Sequence, residues 1–157
     1  MTDSVAHQTV RSLGTILGVW AHPDDECYLS AGLMALARET GARVVCITAT
    51  RGERGTDDPD NWPPDRLAPV REQELNRSMS ILGVKEHRWL DHCDGEVATV
   101  SDDVGVVQLA EIIAEVRPDT VVTFGPDGMT GHGDHITVGR WATIAAQRAD
   151  DGARVLH

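Results

Sequence analysis

Hydrophobic positions along the chain fall into two patterns that alternate from beginning to end. Short runs of mostly apolar residues predict strands at residues 15–21, 43–49 and 120–124, and we expect further short strands at residues 87–90 and 154–156. Apolar residues spaced three or four apart predict helices at residues 25–39, 68–82, 104–117 and 134–149. Because alternating strands and helices form parallel sheets, the pattern predicts the α/β fold class. We expect a Rossmann-like, three-layer domain with a mostly parallel sheet.

The length of the chain is that of one such domain. Its 157 residues can enclose one hydrophobic core but are too few for two ordinary domains. Residues 1–14 are interpreted as a loose N-terminal leader, and residues 15–157 as the domain itself.

Composition and charge indicate which classes of binding partner are not expected for this protein. A hydrophobic content of 41% and a charged content of 25% are typical of soluble globular proteins. The chain carries 25 acidic against 14 basic side chains, a net charge of −11. This charge repels phosphate backbones and anionic lipids, so neither nucleic acid nor a membrane is an expected partner.

The cysteines and the first residues favour a cytoplasmic location. The three cysteines show no paired spacing, as is usual in a reducing compartment. Residues 1–11 lack the apolar core of a signal peptide, and no apolar run approaches the length of a membrane span. A homo-oligomer is compatible with the open sheet edge expected at the C-terminal end.

Two polar clusters follow predicted strands, and each contains histidine and carboxylate side chains. His-Pro-Asp-Asp-Glu occupies residues 22–26, directly after the first strand, and Gly-His-Gly-Asp-His occupies residues 131–135, after the fourth. Because parallel sheets bind ligands at the carboxyl ends of their strands, we expect the two clusters to meet. Three protein ligands and one open position characterise a catalytic zinc site.

Spacing within the clusters favours one set of ligands. His22 and Asp25 are three residues apart at a helix start, where side chains converge, and His132 and His135 repeat that spacing. We favour His22, Asp25 and His135 as ligands of Zn²⁺, with Fe²⁺ or Co²⁺ as other occupants. Two alternatives stay open: the acidic residues only cap a helix, and His132 is a fourth ligand that closes the site.

The remaining groups of the clusters have the chemistry of acid–base catalysis. Asp24 neighbours a ligand but should point elsewhere, which suits a general base. His132, as an imidazolium, could stabilise an oxyanion, and Asp134 could hold its tautomer and orientation. We therefore expect Asp24, His132 and Asp134 to be catalytic.

At these residues the chain resembles the PIG-L/LmbE-like family of zinc-dependent N-deacetylases, which act on N-acetylglucosamine conjugates. Ala-His-Pro-Asp-Asp-Glu at residues 21–26 and Gly-His-Gly-Asp-His at residues 131–135 match the two motifs of the family, and the resemblance covers residues 17–148. It implies zinc ligation by His22, Asp25 and His135, a general base at Asp24, and support of the tetrahedral intermediate by His132.

Weaker matches to the family imply three residues that contact substrate. Glu53 lies in the loop after the second strand, Arg71 in the second predicted helix, and Asp91 at the end of the third strand. Arginine and aspartate can each bond two sugar hydroxyls. A solvated Arg71 or a capping Asp91 is an equally good interpretation, because exposed charges are the ordinary case.

The chain departs from the family at two points. Thr130 stands where some members have a tyrosine that polarises the carbonyl, so a tyrosine-assisted oxyanion hole is doubtful unless the Thr130 hydroxyl substitutes. Family members also continue well past the position of His157. We therefore expect a C-terminally shortened domain, with a cleft that is incomplete or completed by another subunit.

These observations lead to one hypothesis and two alternatives. The hypothesis is a zinc-dependent hydrolase that removes an N-acetyl group from a small amino-sugar conjugate. A metal-dependent phosphoesterase is the first alternative, since clustered aspartates and histidines also build two-metal sites. The second is an inactive, truncated metal-binding module of the same fold. Metal stoichiometry separates the two enzymes, and release of an amine separates the deacetylase from the inactive module.

Overall fold

The computed structural model describes residues 4–149 and 152–157. Residues 1–3 of the predicted leader, and residues 150 and 151 of the predicted domain, lie outside it. The strands are β1 Ile16–Trp20, β2 Val44–Thr48, β3 Glu86–Trp89, β4 Thr120–Val122 and β5 Arg154–Leu156. The helices are α1 Val5–Arg11, α2 Asp25–Glu39, α3 Pro64–Leu82, α4 Asp102–Val116 and α5 Gly133–Arg148, with a short 3₁₀ helix at Val97–Thr99.

The five strands form one parallel sheet in the order β3-β2-β1-β4-β5. Every residue of β1 and β2 is buried, because helices cover both faces of the sheet centre. Helix α2 packs against β1 and β2, whereas α5 packs against β1, β4 and β5. The predicted α/β class, with a single domain and a parallel sheet, is confirmed.

The N-terminal segment differs from the predicted loose leader. Residues Val5–Arg11 form helix α1, whose N-cap Ser4 accepts a hydrogen bond from the backbone of His7. Val10 and Leu13 are buried in the core, and α1 packs against α2. The prediction was wrong because two apolar residues in a polar segment show too little periodicity to mark a helix.

Helix α3 begins four positions earlier than predicted, at Pro64. Proline is favoured in the first turn of a helix, where its missing N–H has no partner to lose. The second proline, Pro69, also lies within the helix and made the early part of this segment look like a loop.

The order of the strands determines where a ligand can bind. The chain runs outward from β1 through β2 to β3, and then returns to the other side of β1 with β4. Such a reversal opens a crevice between the carboxyl ends of the two strands on either side of it, here β1 and β4. The two predicted clusters follow β1 and β4, and therefore meet at this crevice. No helix in the described residues has both the length and the apolar character needed to cross a bilayer.

Candidate metal centre

The first half of the site is the turn that joins β1 to α2. The backbone N–H of His22 donates to Oδ2 of Asp25 at 2.8 Å, which turns the Asp25 carboxylate back toward the strand end. Asp24, between them, has a φ of 106°, a left-handed conformation that non-glycine residues rarely adopt. The turn therefore directs Asp24 and Asp25 to different places, as the sequence predicted.

The second half of the site is the first turn of α5. Nδ1 of His135 lies 3.0 Å from the carbonyl oxygen of Gly128, in the loop after β4. Phe124 stacks on the His135 ring, with 4.2 Å between centroids and 10° between the planes. If Nδ1 donates to this carbonyl, Nε2 keeps a free lone pair, which is the usual way a protein prepares a histidine ligand.

These two halves bring the three predicted ligands together. Nδ1 of His22 lies 3.1 Å from Nε2 of His135 and 3.6 Å from Oδ2 of Asp25, and Nε2 of His135 lies 3.4 Å from Oδ1 of Asp25. Donors arranged tetrahedrally around zinc at a bond length of about 2.0 to 2.1 Å lie about 3.3 Å apart. The separation of the two histidine nitrogens fits a zinc-sized ion, whereas the two contacts of Asp25 use different oxygens of its carboxylate.

His132 remains a second candidate for ligation. It is the exposed N-cap of α5, and its nitrogen lies within 4.8 Å of donor nitrogens on both His22 and His135. Its ring is 5.0 Å from that of His22, measured between centroids. The geometry accommodates His132 either as a ligand or as a group facing the reacting carbonyl.

Asp134 occupies a different position from the one predicted. Its carboxylate contacts His22, with 3.3 Å between Oδ2 and Nε2, and its Oδ2 also accepts from the Gly95 backbone at 2.8 Å. Only the Asp134 backbone N–H reaches His132, donating to Nδ1 at 3.2 Å. The prediction that the Asp134 side chain orients His132 was wrong, because this side chain points from the first turn of α5 toward the β1 end.

Asp94 is a residue of the site that the sequence analysis missed. It is buried, and its Oδ1 lies 3.1 Å from Nε2 of His22. The backbone N–H of Arg54 donates to its other oxygen at 2.8 Å, and its own N–H donates to Glu53 at 2.8 Å. Its place after β3, the third strand to end at this edge of the sheet, was the available signal.

The carboxylates make the His22 site strongly favourable for positive charge. Burial alone would lower the pKa of His22, but the hydrogen bonds to Asp134 and Asp94 and the charge of Asp25 raise it to about 10. Burial opposes ionisation of Asp94 and Asp134, yet their hydrogen bonds to His22 lower the pKa of both. A divalent cation would replace the His22 proton as the positive charge of this cluster.

The cluster opens into a cavity of about 460 Å³, within the range of small-ligand sites. Asp24, Arg71 and Arg54 lie on its wall together with the three candidate ligands. One nitrogen of Arg71 donates to Oδ2 of Asp24 at 2.6 Å and also to the Pro23 carbonyl. Arg71 therefore lies on the cavity wall and binds Asp24, and its contact with substrate stays a prediction.

The other two predicted substrate residues, Glu53 and Asp91, lie outside the cavity wall. Glu53 Oε1 accepts from the Asp94 backbone, so this side chain links the loop after β2 to the segment after β3. Asp91 is exposed and accepts from Arg51 at 2.6 Å. Because neither side chain lines the cavity, sugar contacts by Glu53 and Asp91 stay predictions.

Comparison with known proteins gives a consistent result. Residues 17–146 match the family described as PIG-L: GlcNAc-PI de-N-acetylase. Proteins named 1D-myo-inositol 2-acetamido-2-deoxy-alpha-D-glucopyranoside deacetylase are 40% identical in Kineococcus radiotolerans (88% of this chain, 46% of the relative) and 37% identical in Streptomyces avermitilis (88% and 54%). This chain thus spans about half the length of these curated relatives.

The fold also matches solved structures. N,N'-diacetylchitobiose deacetylase from Pyrococcus horikoshii superposes with a TM-score of 0.77 at 25% sequence identity. The match covers 93% of this chain and 60% of that enzyme. The sequence resemblance and the fold therefore point to the same group of proteins.

Proposed function

Because the chain belongs to the PIG-L family of GlcNAc-PI de-N-acetylases, we propose that it is a metal-dependent N-deacetylase that acts on a small amino-sugar conjugate. The proposed ion is Zn²⁺, with Fe²⁺ or Co²⁺ as other candidates, and the proposed ligands are His22, Asp25 and His135. The observation that carries the proposal is the separation of 3.1 to 3.6 Å between these donors, at the base of a cavity that also contains Asp24.

The protonation state of one proposed ligand, His135, suits a metal site, whereas the raised pKa values of His22 and Asp25 mean that a metal competes with a proton at these two residues. Burial lowers the pKa of His135, which favours the neutral imidazole that a metal requires. When bound, a divalent cation acts as a Lewis acid that acidifies water and polarises an amide carbonyl. The residues around it then provide the proton transfers and the binding of the sugar.

Asp24 is the proposed general base. Its carboxylate lies on the cavity wall, and Arg71 holds it at 2.6 Å. In this role it removes a proton from the attacking water and returns it to the nitrogen of the departing amine. An alternative donor for the second step is His132, whose exposed ring lies at the same cavity.

His132 is the proposed oxyanion stabiliser. The backbone N–H of Asp134 donates to its Nδ1 at 3.2 Å, so Nδ1 is the acceptor and the ring proton lies on Nε2. This Nε2–H would donate to the oxygen of the tetrahedral intermediate.

The proposed substrate class follows from the relatives and from the cavity. The curated relatives are named as deacetylases of an N-acetylglucosamine unit joined to myo-inositol. Arg71 and Asp94 place donors and acceptors on the cavity wall, which suits recognition of a polyol. We therefore propose an N-acetylglucosaminyl conjugate with a small polar partner.

One observation argues against the phosphoesterase alternative. In the described residues, two further groups of donors lie close enough together to hold an ion, His22 with His132 and His135, and His22 with Asp94 and Asp134. Both groups and the proposed ligand set include His22, so two ions would have to share one imidazole ring. Two-metal hydrolases instead use bridging carboxylates between ions about 3.5–4 Å apart.

Amine release tests the proposal. The protein is loaded with Zn²⁺, Fe²⁺ or Co²⁺ and incubated with the α-glycoside of N-acetylglucosamine and myo-inositol, and free amine and acetate are measured. We expect equimolar release, abolished by Asp24→Asn. Loss of activity with retained metal in that variant supports a base at Asp24. No amine from the metal-loaded wild type would favour the inactive module, and phosphate release from p-nitrophenyl phosphate with two ions per chain would favour the phosphoesterase.

A further inference from the structure

Glu26 is a buried carboxylate without a cationic partner in the described part of the chain. It has 0% exposure and is among the largest fully buried side chains. No lysine, arginine or histidine of the described residues forms an ion pair with it. Burial of an unpaired carboxylate is costly, and an apolar side chain of the same length would be cheaper for folding. The position therefore needs a specific explanation.

The two oxygens of Glu26 point to groups around the proposed base. Oε2 accepts from the backbone N–H of Asp24 at 3.0 Å, and Oε1 accepts from the hydroxyl of Ser78, on α3, at 3.2 Å. The Ser78 hydroxyl also lies 2.7 Å from the sulfur of Cys27. Glu26 thus connects helix α3 to the peptide group of Asp24.

That peptide group is where the turn is strained. Asp24 has φ 106° and ψ −29°, a conformation that costs a non-glycine residue free energy and persists only when its surroundings hold it. Its carbonyl accepts from Cys27 and Tyr28 in the first turn of α2. Its N–H has Glu26 as its partner, so release of that bond removes one restraint on the strained residue.

We propose that Glu26, held by Ser78, is a positioning residue that keeps the Asp24 backbone in its left-handed conformation and so aims the Asp24 carboxylate into the cavity. This inference rests on the proposed function, in which Asp24 is the base. Glu26 itself is outside the cavity wall and acts only through Asp24.

The decisive pair of variants is Glu26→Met and Glu26→Gln. Methionine fills the same space without an acceptor, whereas glutamine keeps an oxygen for the Asp24 N–H. We expect kcat to fall about tenfold or more in Glu26→Met, with KM and the bound metal per chain unchanged, and to stay within about threefold of wild type in Glu26→Gln. Thermal stability of Glu26→Met should equal or exceed that of the wild type, a pattern that a merely structural residue would not give.

A second pair of variants tests the inference even if Glu26→Met does not fold. Ser78→Ala removes the hydroxyl that holds Glu26, and Ser30→Ala removes a buried hydroxyl on α2 that bonds only the Glu26 backbone carbonyl. We expect a fall in kcat for Ser78→Ala and none for Ser30→Ala. Equal kcat in both would contradict the inference.

A further readout separates this inference from the proposed function. Amide hydrogen exchange at Asp24, measured by NMR, needs no activity, and we expect it to be about tenfold faster in Glu26→Met than in wild type or Glu26→Gln. Unchanged exchange would overturn the inference, whereas a wild type that releases no amine would overturn the proposed function alone.

Discussion

Oδ2 of Asp134 lies 3.3 Å from Nε2 of His22, although the two residues are 112 positions apart in the chain. Nδ1, on the other side of the same ring, faces Asp25 and His135. Carboxylates that hold the far nitrogen of a histidine ligand fix its tautomer and raise its basicity. In the proposed metal site, Asp134 would therefore prepare His22 for the metal rather than His132 for catalysis.

Loss of this carboxylate should weaken metal binding. We expect Asp134→Asn to raise the dissociation constant for Zn²⁺ about 10- to 100-fold, because the amide is a poorer partner for His22 Nε2–H. Asp65→Asn is the matched control, since Asp65 is likewise the second residue of its helix but is exposed. Competition with a chelator measures both constants, and equal affinities in the two variants would exclude this role.

The contact between Arg71 and Asp24 leads to a prediction about rate. Arg71→Gln removes the cation that holds the Asp24 carboxylate, and we expect kcat/KM to fall about tenfold to a hundredfold. Arg77→Gln, on the exposed face of the same helix, should have no effect. A fall confined to kcat indicates positioning of Asp24, and a rise in KM indicates the predicted sugar contact. A kcat/KM equal to that of Arg77→Gln would show that neither role exists.

Two glycines of the loop after β4 make a matched pair. Both have positive φ, 64° at Gly128 and 78° at Gly131. A Cβ at Gly128 would lie 2.9 Å from the Ile136 backbone nitrogen, whereas a Cβ at Gly131 meets nothing within 4 Å. Because the Gly128 carbonyl holds His135, we expect Gly128→Ala to weaken Zn²⁺ binding much more than Gly131→Ala. Calorimetric titration with Zn²⁺ measures the affinity of both variants. Similar losses of affinity would mean that the Gly128 carbonyl has no special role and that only the cost of a positive φ, which both positions share, weakens binding.

His87, away from the metal centre, should make stability depend on pH. Burial and the charge of Arg51 lower the pKa of His87 to about 4. Between that pH and the ordinary value of about 6.5 the unfolded chain binds the extra proton, so the free energy of unfolding rises with pH across this window.

The variant that removes this titration is His87→Gln, which can keep the hydrogen bond to Thr48. Denaturant unfolding of the metal-free protein from pH 4 to 6.5 should show a shallower rise than wild type, by on the order of 3 kcal/mol. His7→Gln on α1 serves as the control. A wild-type slope in His87→Gln would show that His87 is protonated in the folded state.

The fold could be predicted because its signals are local. Helix α2 has the predicted bounds of Asp25 and Glu39, since Pro23 and Gly41 flank a clear apolar stripe. Continuous apolar runs likewise marked β1, β2 and β4, whereas the edge strands β3 and β5 have no such run and no buried residue. Helix α1 was missed because its few buried residues form no periodic pattern, and they are buried only because α1 packs against α2.

The site was predictable only in part, because hydrogen bonds between distant segments complete it. The motifs at His22 and His135 placed the candidate ligands at two strand ends, and the sheet order brought them together. Asp94 has no motif around it, and its contact with His22 depends on how the segment after β3 folds back. The orientation of Asp134 likewise depends on the direction of a helix relative to a strand, which spacing along the chain does not give.

Zinc content after equilibration and gel filtration is the most direct test of the proposed ligand set. We predict one zinc per chain for the wild type and for Asp24→Asn, and a marked loss for Asp25→Asn, since the two oxygens of Asp25 lie 3.6 Å from Nδ1 of His22 and 3.4 Å from Nε2 of His135. Loss of zinc from Asp24→Asn with retention in Asp25→Asn, or two ions per wild-type chain, would contradict the account.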